Sequence, residues 1–331
     1  MARPFDLVNE LGTGEFGVKM FKGGDRTRKN GGAVAIKILQ ISRDDDGATA
    51  ILNEVELLRS FRHEHLVSYF SCFQFHGEMW IVTEHILHGS VLDVLKTIMR
   101  KKAEDTSIFD HSRSWRGIFP SDKNSNVTTA QAYDSQKVAK PYGSAEETTS
   151  SLVLSEESMS DIVRQTLCGL HHLHSVAHVY HGNLKCSNIM ICTNGVIKIA
   201  DFGLKDKLVE AFSKRNTFTE IKPHWTPPEL ISHISQDSSI QRDQKKRGIS
   251  LDDGSRGDVW SLGISMIEMA EGRPPLWGRP PMEVLHIITN DRPPSLQKKN
   301  RYDINNVIKF SLAKVVQLSI QTSVDNRKPM M

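Results

Sequence analysis

The stretch His181-Gly182-Asn183-Leu184-Lys185-Cys186-Ser187-Asn188 sets an ammonium between two amides, and Asp201-Phe202-Gly203 follows shortly after. Asn188 and Asp201 offer the oxygen donors that a hard cation such as Mg²⁺ prefers. Lys185 can neutralise a phosphoryl group in transit. Asn183 can accept and donate hydrogen bonds, but it carries no charge and is no base at neutral pH. Taken alone, Asp-Phe-Gly also reads as an ordinary turn containing glycine.

Upstream, Gly12, Gly14 and Gly17 form a G-x-G-x-x-G pattern. Its physical reading is a hairpin whose bare backbone can press on phosphate oxygens. No helix-like pattern follows, which excludes the dinucleotide-binding fingerprint. Lys37 closes Val34-Ala35-Ile36-Lys37, and Glu54 lies further on, where a predicted helix can hold Lys37 against a phosphate.

Short β-branched and aromatic runs predict strands over 5–12, 32–40, 66–75 and 78–86. Between them, Ile51, Val55, Leu58 and Phe61 recur at helical spacing. From about residue 87 the pattern turns helical. Met159, Ile162, Val163, Thr166, Leu167, Leu170 and Leu173 share one face, with Ser158 and Asp161 as the expected capped start. "DVWSLGISMIEMAEG" is apolar nearly all round and predicts a buried central helix. A last amphipathic helix is expected over 304–322. Residues 101–151 are polar, rich in Ser and Thr and without period, which predicts a mobile insertion. Residues 235–255 read as a second lengthened loop.

With these pieces in this order, the chain resembles a eukaryotic protein kinase domain. Within that family "DVWSLGISMIEMAEGRPP" is most similar to the germinal-centre branch of sterile-twenty-like kinases. The resemblance implies an α+β bilobal fold: a small antiparallel sheet lobe with one helix (1–86) over a larger, mainly helical lobe (87–331). It implies ATP and Mg²⁺ between them. Gly12, Gly14 and Gly17 would cover the phosphates. Lys37 would contact them while paired to Glu54, and Ala35 and Met190 would sandwich the adenine. Glu84 and the residues just after it would form the hinge behind Thr83, and Asn188 and Asp201 would hold magnesium.

Four departures from the family pattern stand out. Asn183 replaces the aspartate base, and Gly182 replaces the arginine that anchors a phosphorylated activation loop. Lys222 replaces a threonine of the substrate groove, and Lys19 falls where a valine covers the adenine. In addition, Arg327 is the candidate partner of Glu229, and Asp258 is expected to anchor the backbone around His181. The expectation is an ATP- and Mg²⁺-binding pseudokinase that acts as an adaptor for another signalling protein, such as an active kinase. The alternative is a slow serine/threonine kinase that transfers the γ-phosphate through the remaining groups, Lys185 among them.

The remaining composition excludes other classes. The 331 residues carry a formal charge of +3, which gives no argument for nucleic acid as a partner. No apolar run reaches the roughly 20 residues of a membrane span. Four dispersed cysteines, without a C-x-x-C pair, suit a reducing, cytoplasmic setting.

Overall fold

A computed structural model describes residues 5–14, 17–25, 32–40, 46–107, 153–204, 208, 223–235, 249–291 and 293–294. The expected helix over 304–322, the residues Lys222 and Arg327, and most of the 101–151 segment lie outside them.

Five antiparallel strands, β1 (Phe5–Thr13), β2 (Lys19–Asp25), β3 (Ala33–Gln40), β4 (Tyr69–Phe75) and β5 (Glu78–Glu84), form one sheet in the order β1-β2-β3-β5-β4. Strand alternation explains its two faces. Val34, Ile36 and Ile38 of β3 bury against Trp80, Val82 and Phe5 on one face. Ala35, Lys37 and Leu39 fall on the other. There Leu39 joins the main core with Ile51, Val55 and Leu58 of α1 (Asp46–Leu58). Burial of those three residues at successive turns is the helical spacing seen in the sequence.

The second lobe is helical, with α2 (Val91–Ser107), α3 (Glu156–His172), α4 (Pro228–Ser235), α5 (Leu251–Glu271) and α6 (Pro281–Asn290). A π-helical turn, Leu173–Ala177, prolongs α3, and a small hairpin of β6 (Ile189–Ile191) and β7 (Ile197–Ile199) lies beside it. The segment after α1 is stitched to β7: Ile199 N–H donates to His65 O (2.9 Å) and Val67 N–H to Ile199 O (3.0 Å). The architecture is therefore the α+β, two-lobed one expected.

Three boundaries differ from the sequence reading. Helix α2 runs to Ser107, into the segment expected as an insertion from 101. Lys101, Lys102, Ala103 and Glu104 are good helix formers, and Arg100 and Glu104 face each other one turn apart. The α3 cap is Ser155, not Ser158: Ser155 Oγ accepts the Ser158 N–H (3.2 Å), and Glu156 and Glu157 add favourable charge in the first turn. The stretch expected as loop over 235–255 is helical at both ends. Ser235 closes α4, and Ser250 caps α5 by accepting the Asp253 N–H (3.1 Å). Gly254 then lies in α5 under the Tyr180 ring, which a Cβ there would meet at 2.3 Å. Only glycine permits so close an approach.

Between the lobes, His63 stacks on His172 of α3 with ring centroids 4.6 Å apart. His63 Nδ1 accepts the His65 N–H (3.2 Å), so the ring must be neutral at that nitrogen. Burial, reinforced by His172 and His65, lowers its pKa to about 4 from 6.5. The folded state thus binds fewer protons than the unfolded state between these values, so stability rises with pH across that window and is lost as pH falls through it. Thermal melts from pH 7 to pH 4.5 should show the His63→Asn variant losing less stability on acidification than the parent protein. Equal losses would assign the effect to other groups.

Candidate active site

Asp258, in the second turn of α5 and 1% exposed, organises the loop that carries the chemistry. Its Oδ2 accepts the His181 N–H (2.6 Å) and the His174 ring Nε2 (2.8 Å), and its Oδ1 accepts the Gly182 N–H (2.8 Å). This is the backbone anchoring expected of it. Gly182 is held at φ +71°, a conformation that carries a Cβ penalty in other residues.

His181 is fully buried, and burial lowers its pKa, so the ring is neutral. Its Nδ1 accepts the Asn183 N–H (3.2 Å), which leaves the proton on Nε2. Its carbonyl accepts the Gly203 N–H (3.1 Å). Phe202 packs edge-on against both His181 and Tyr69, and Tyr69 lies in the same core as Leu58 of α1. A continuous packed column therefore runs from α1 through Tyr69, Phe202 and His181 to Asp258.

This column positions the polar groups. Asp201, at φ +62°, forms an ion pair with Lys37. Burial alone would raise its carboxyl pKa, but the Lys37 ammonium outweighs that and holds it below the ordinary value. Glu54 lies on α1 near the same point. Burial first, then Asp201 and Glu54, push the Tyr69 hydroxyl well up. Lys37 is thus ion-paired with Asp201, and Glu54, its expected partner, stands on the neighbouring helix α1.

Asn188 N–H₂ donates to Asn183 O (2.7 Å), and the Ala200 N–H donates to Asn188 O (2.8 Å), which sets Asn188 beside Asp201. Its amide nitrogen is thereby turned to the loop, while Oδ1 accepts a long bond from Ser187 Oγ (3.4 Å) and has a second lone pair to offer a cation. These hard oxygen donors fit Mg²⁺. Among the described residues no group of three His, Cys, Asp or Glu is placed to bind a metal by itself, so phosphate oxygens would have to complete the shell.

Ala35 pairs with the buried Thr83 across β3 and β5, and Met190 pairs with Lys198 across β6 and β7. Gly12 and Gly14 lie at the β1 end of the glycine-rich turn, and Gly17 precedes β2. Lys19 lies on the sheet face away from Lys37. The β2–β3 register pairs Lys19 with Ile38 and Met20 with Lys37. Directly paired residues share a face, so Lys19 projects on the Ile38 side, exposed, while Met20 and the buried Val18 roof the Lys37 side. An irregularity between Glu10 and Gly12 on the neighbouring strand accompanies this register.

Below the loop, the Lys185 ammonium sits 5.8 Å from the Trp225 ring centre. Trp225 Nε1–H and the Cys186 N–H both donate to Glu268, a buried carboxyl whose pKa burial raises. Trp225 and Glu268 were not singled out in the sequence. Their signal there is only an aromatic before Pro-Pro-Glu and an acid flanked by apolar residues in the central helix.

The structure is thus a sheet lobe on a helical lobe, with a lysine–aspartate pair and an asparagine at their junction. Residues 5–317 match the family model "Protein tyrosine and serine/threonine kinase", and the chain belongs to that family. It is 30% identical over 91% of its length to Serine/threonine-protein kinase 1 of Arabidopsis thaliana, covering 27% of that protein. It is 28% identical over 94% of its length to Serine/threonine-protein kinase cst-1 of Caenorhabditis elegans, covering 47% of it. With Serine/threonine-protein kinase dst1 of Dictyostelium discoideum it shares 29% over 89% of its length, covering 30% of that protein. The chain thus spans from about a quarter to about half the length of these relatives. Protein kinases as a family use ATP and Mg²⁺. Among the described residues no helix is long and apolar enough to cross a membrane.

Proposed function

We propose that this domain is a pseudokinase of the sterile-twenty-like, germinal-centre type. In this reading it holds ATP and Mg²⁺ in its cleft and acts as a cytosolic regulatory adaptor for another signalling protein, such as an active kinase. The supporting observation is an asymmetry. Lys37, Asp201 and Asn188 are brought together on the phosphate side, while Asn183 stands uncharged where an acceptor hydroxyl needs a base. Asn188 Oδ1 and Asp201 would hold Mg²⁺, which supplies positive charge to the phosphate oxygens. Lys37 would bind the α- and β-phosphates, Ala35 and Met190 would stack on the adenine, and the backbone from Glu84 onward would meet its edge. Gly12, Gly14 and Gly17 would lie over the phosphates.

A second reading is a slow serine/threonine kinase. Lys185 and the ordered loop from His181 to Gly203 favour it, because phosphoryl transfer rests largely on positioning and charge. Both readings require nucleotide binding. Thermal unfolding with Mg·ATP at a hundredfold over Kd should be stabilised by about 2.7 kcal/mol, or about 5–10 °C. No shift with saturating nucleotide would remove both readings and leave a scaffold that needs no ligand.

A further inference from the structure

We propose that the ion pair between Glu84 and Lys198 is the positioning device of the purine slot, fixing the spacing between its hinge side and its floor. Lys198 Nζ donates to both carboxylate oxygens of Glu84, each at 2.8 Å. Glu84 Oε2 also accepts the Ser68 N–H (3.2 Å), and the Glu84 N–H donates to Ser68 O (2.9 Å). Glu84 is therefore held at backbone and side chain, as the last residue of β5 and next to Thr83, which faces Ala35.

The other end of the pair is equally placed. Lys198 is the direct cross-strand partner of Met190, so their side chains share a face. Met190 in turn bridges to Ser90, and the Ile191 N–H donates to Gly89 O (2.9 Å). The chain leaves the small lobe at Glu84 and meets the floor through this short connection, and a second backbone link runs from Val67, next to Ser68, to Ile199 of β7. The ion pair closes the loop directly, from the hinge to the strand pair that carries Met190.

Its environment gives the pair leverage. Both side chains are largely buried, at 28% and 17% exposure, where charges attract more strongly than at the surface. Removing one charge leaves the other poorly solvated and frees the floor to shift against Ala35.

This inference rests on the nucleotide-binding reading, and its test separates the two. Calorimetric titration with adenosine and with Mg·ATP would compare the parent protein, Lys198→Gln, Glu84→Gln, the charge-swapped Glu84→Lys/Lys198→Glu protein, and Lys37→Met. Each single variant at 84 or 198 should lose about tenfold in affinity, by the same factor for adenosine and for ATP. The swapped protein should regain most of it, and it keeps the test readable if a single variant folds poorly. Lys37→Met should weaken ATP but not adenosine. Single variants that bind adenosine like the parent, or that lose affinity for ATP alone, would overturn the positioning role. A parent protein that binds neither ligand would overturn the nucleotide reading and this inference with it.

Discussion

Restoring a carboxylate by Asn183→Asp is expected to raise phosphoryl transfer by about 10²- to 10⁴-fold, the usual contribution of a general base. That corresponds to roughly 3 to 5 kcal/mol of barrier. The loop is ready to receive it: the residue 183 N–H is held by His181 Nδ1, and its carbonyl is held by Asn188. Neither bond uses the residue 183 side chain, so the exchange should leave the loop's shape intact. Kinases commonly turn over at about 1 to 100 s⁻¹. A protein lacking only the base would therefore run at about 10⁻⁴ to 1 s⁻¹. Autophosphorylation and phosphate release, measured on parent and variant, decide the matter. A parent already at ordinary kinase rates would defeat the adaptor reading. A variant that binds Mg·ATP yet gains nothing would place the defect in the acceptor groove rather than in the missing base.

The grouping of Asn188, Asp201 and Asp258 around one loop was legible in the sequence because these residues sit in short local patterns. Asn188 and Asp201 come together through a tight loop and hairpin, and Asp258 reaches that loop from one central helix. What was not legible depends on register and tertiary contact. Lys19 fell at the adenine position by counting from Gly17, yet a one-residue difference in pairing moves a strand residue to the opposite face. Met20 took its place opposite Lys37. The Ser155 cap was missed because two serines three residues apart offer the same local signal, and only the hydrogen bond to Ser158 N–H separates them. The stack of His63 on His172 and the pair of Glu84 with Lys198 join residues more than a hundred positions apart. No periodicity encodes such contacts.

The largest expected loss of stability comes from Asp258→Ala. The substitution strips acceptors from the His181 and Gly182 N–H groups and from the His174 ring in one step. A buried donor left without a partner costs about 1–3 kcal/mol. Water can reach Gly182 and His174 more easily than the fully buried His181, so the sum should fall at about 2–5 kcal/mol. For a domain of this size that lowers Tm by on the order of 10 °C. The damage should also spread along the column. His181 O holds the Gly203 N–H, and Phe202 packs on the His181 ring, so a loosened residue 181 frees the segment that presents Asp201 to Lys37. Hydrogen exchange should then quicken from 181 to 203 while the β3 and β5 amides keep their protection. Asp258→Asn, which retains one acceptor oxygen but turns an N–H₂ toward a donor, should lie between the two. A drop below about 1 kcal/mol in the alanine variant would mean that the loop is held from elsewhere. In that event α5 would not be the element that shapes the site.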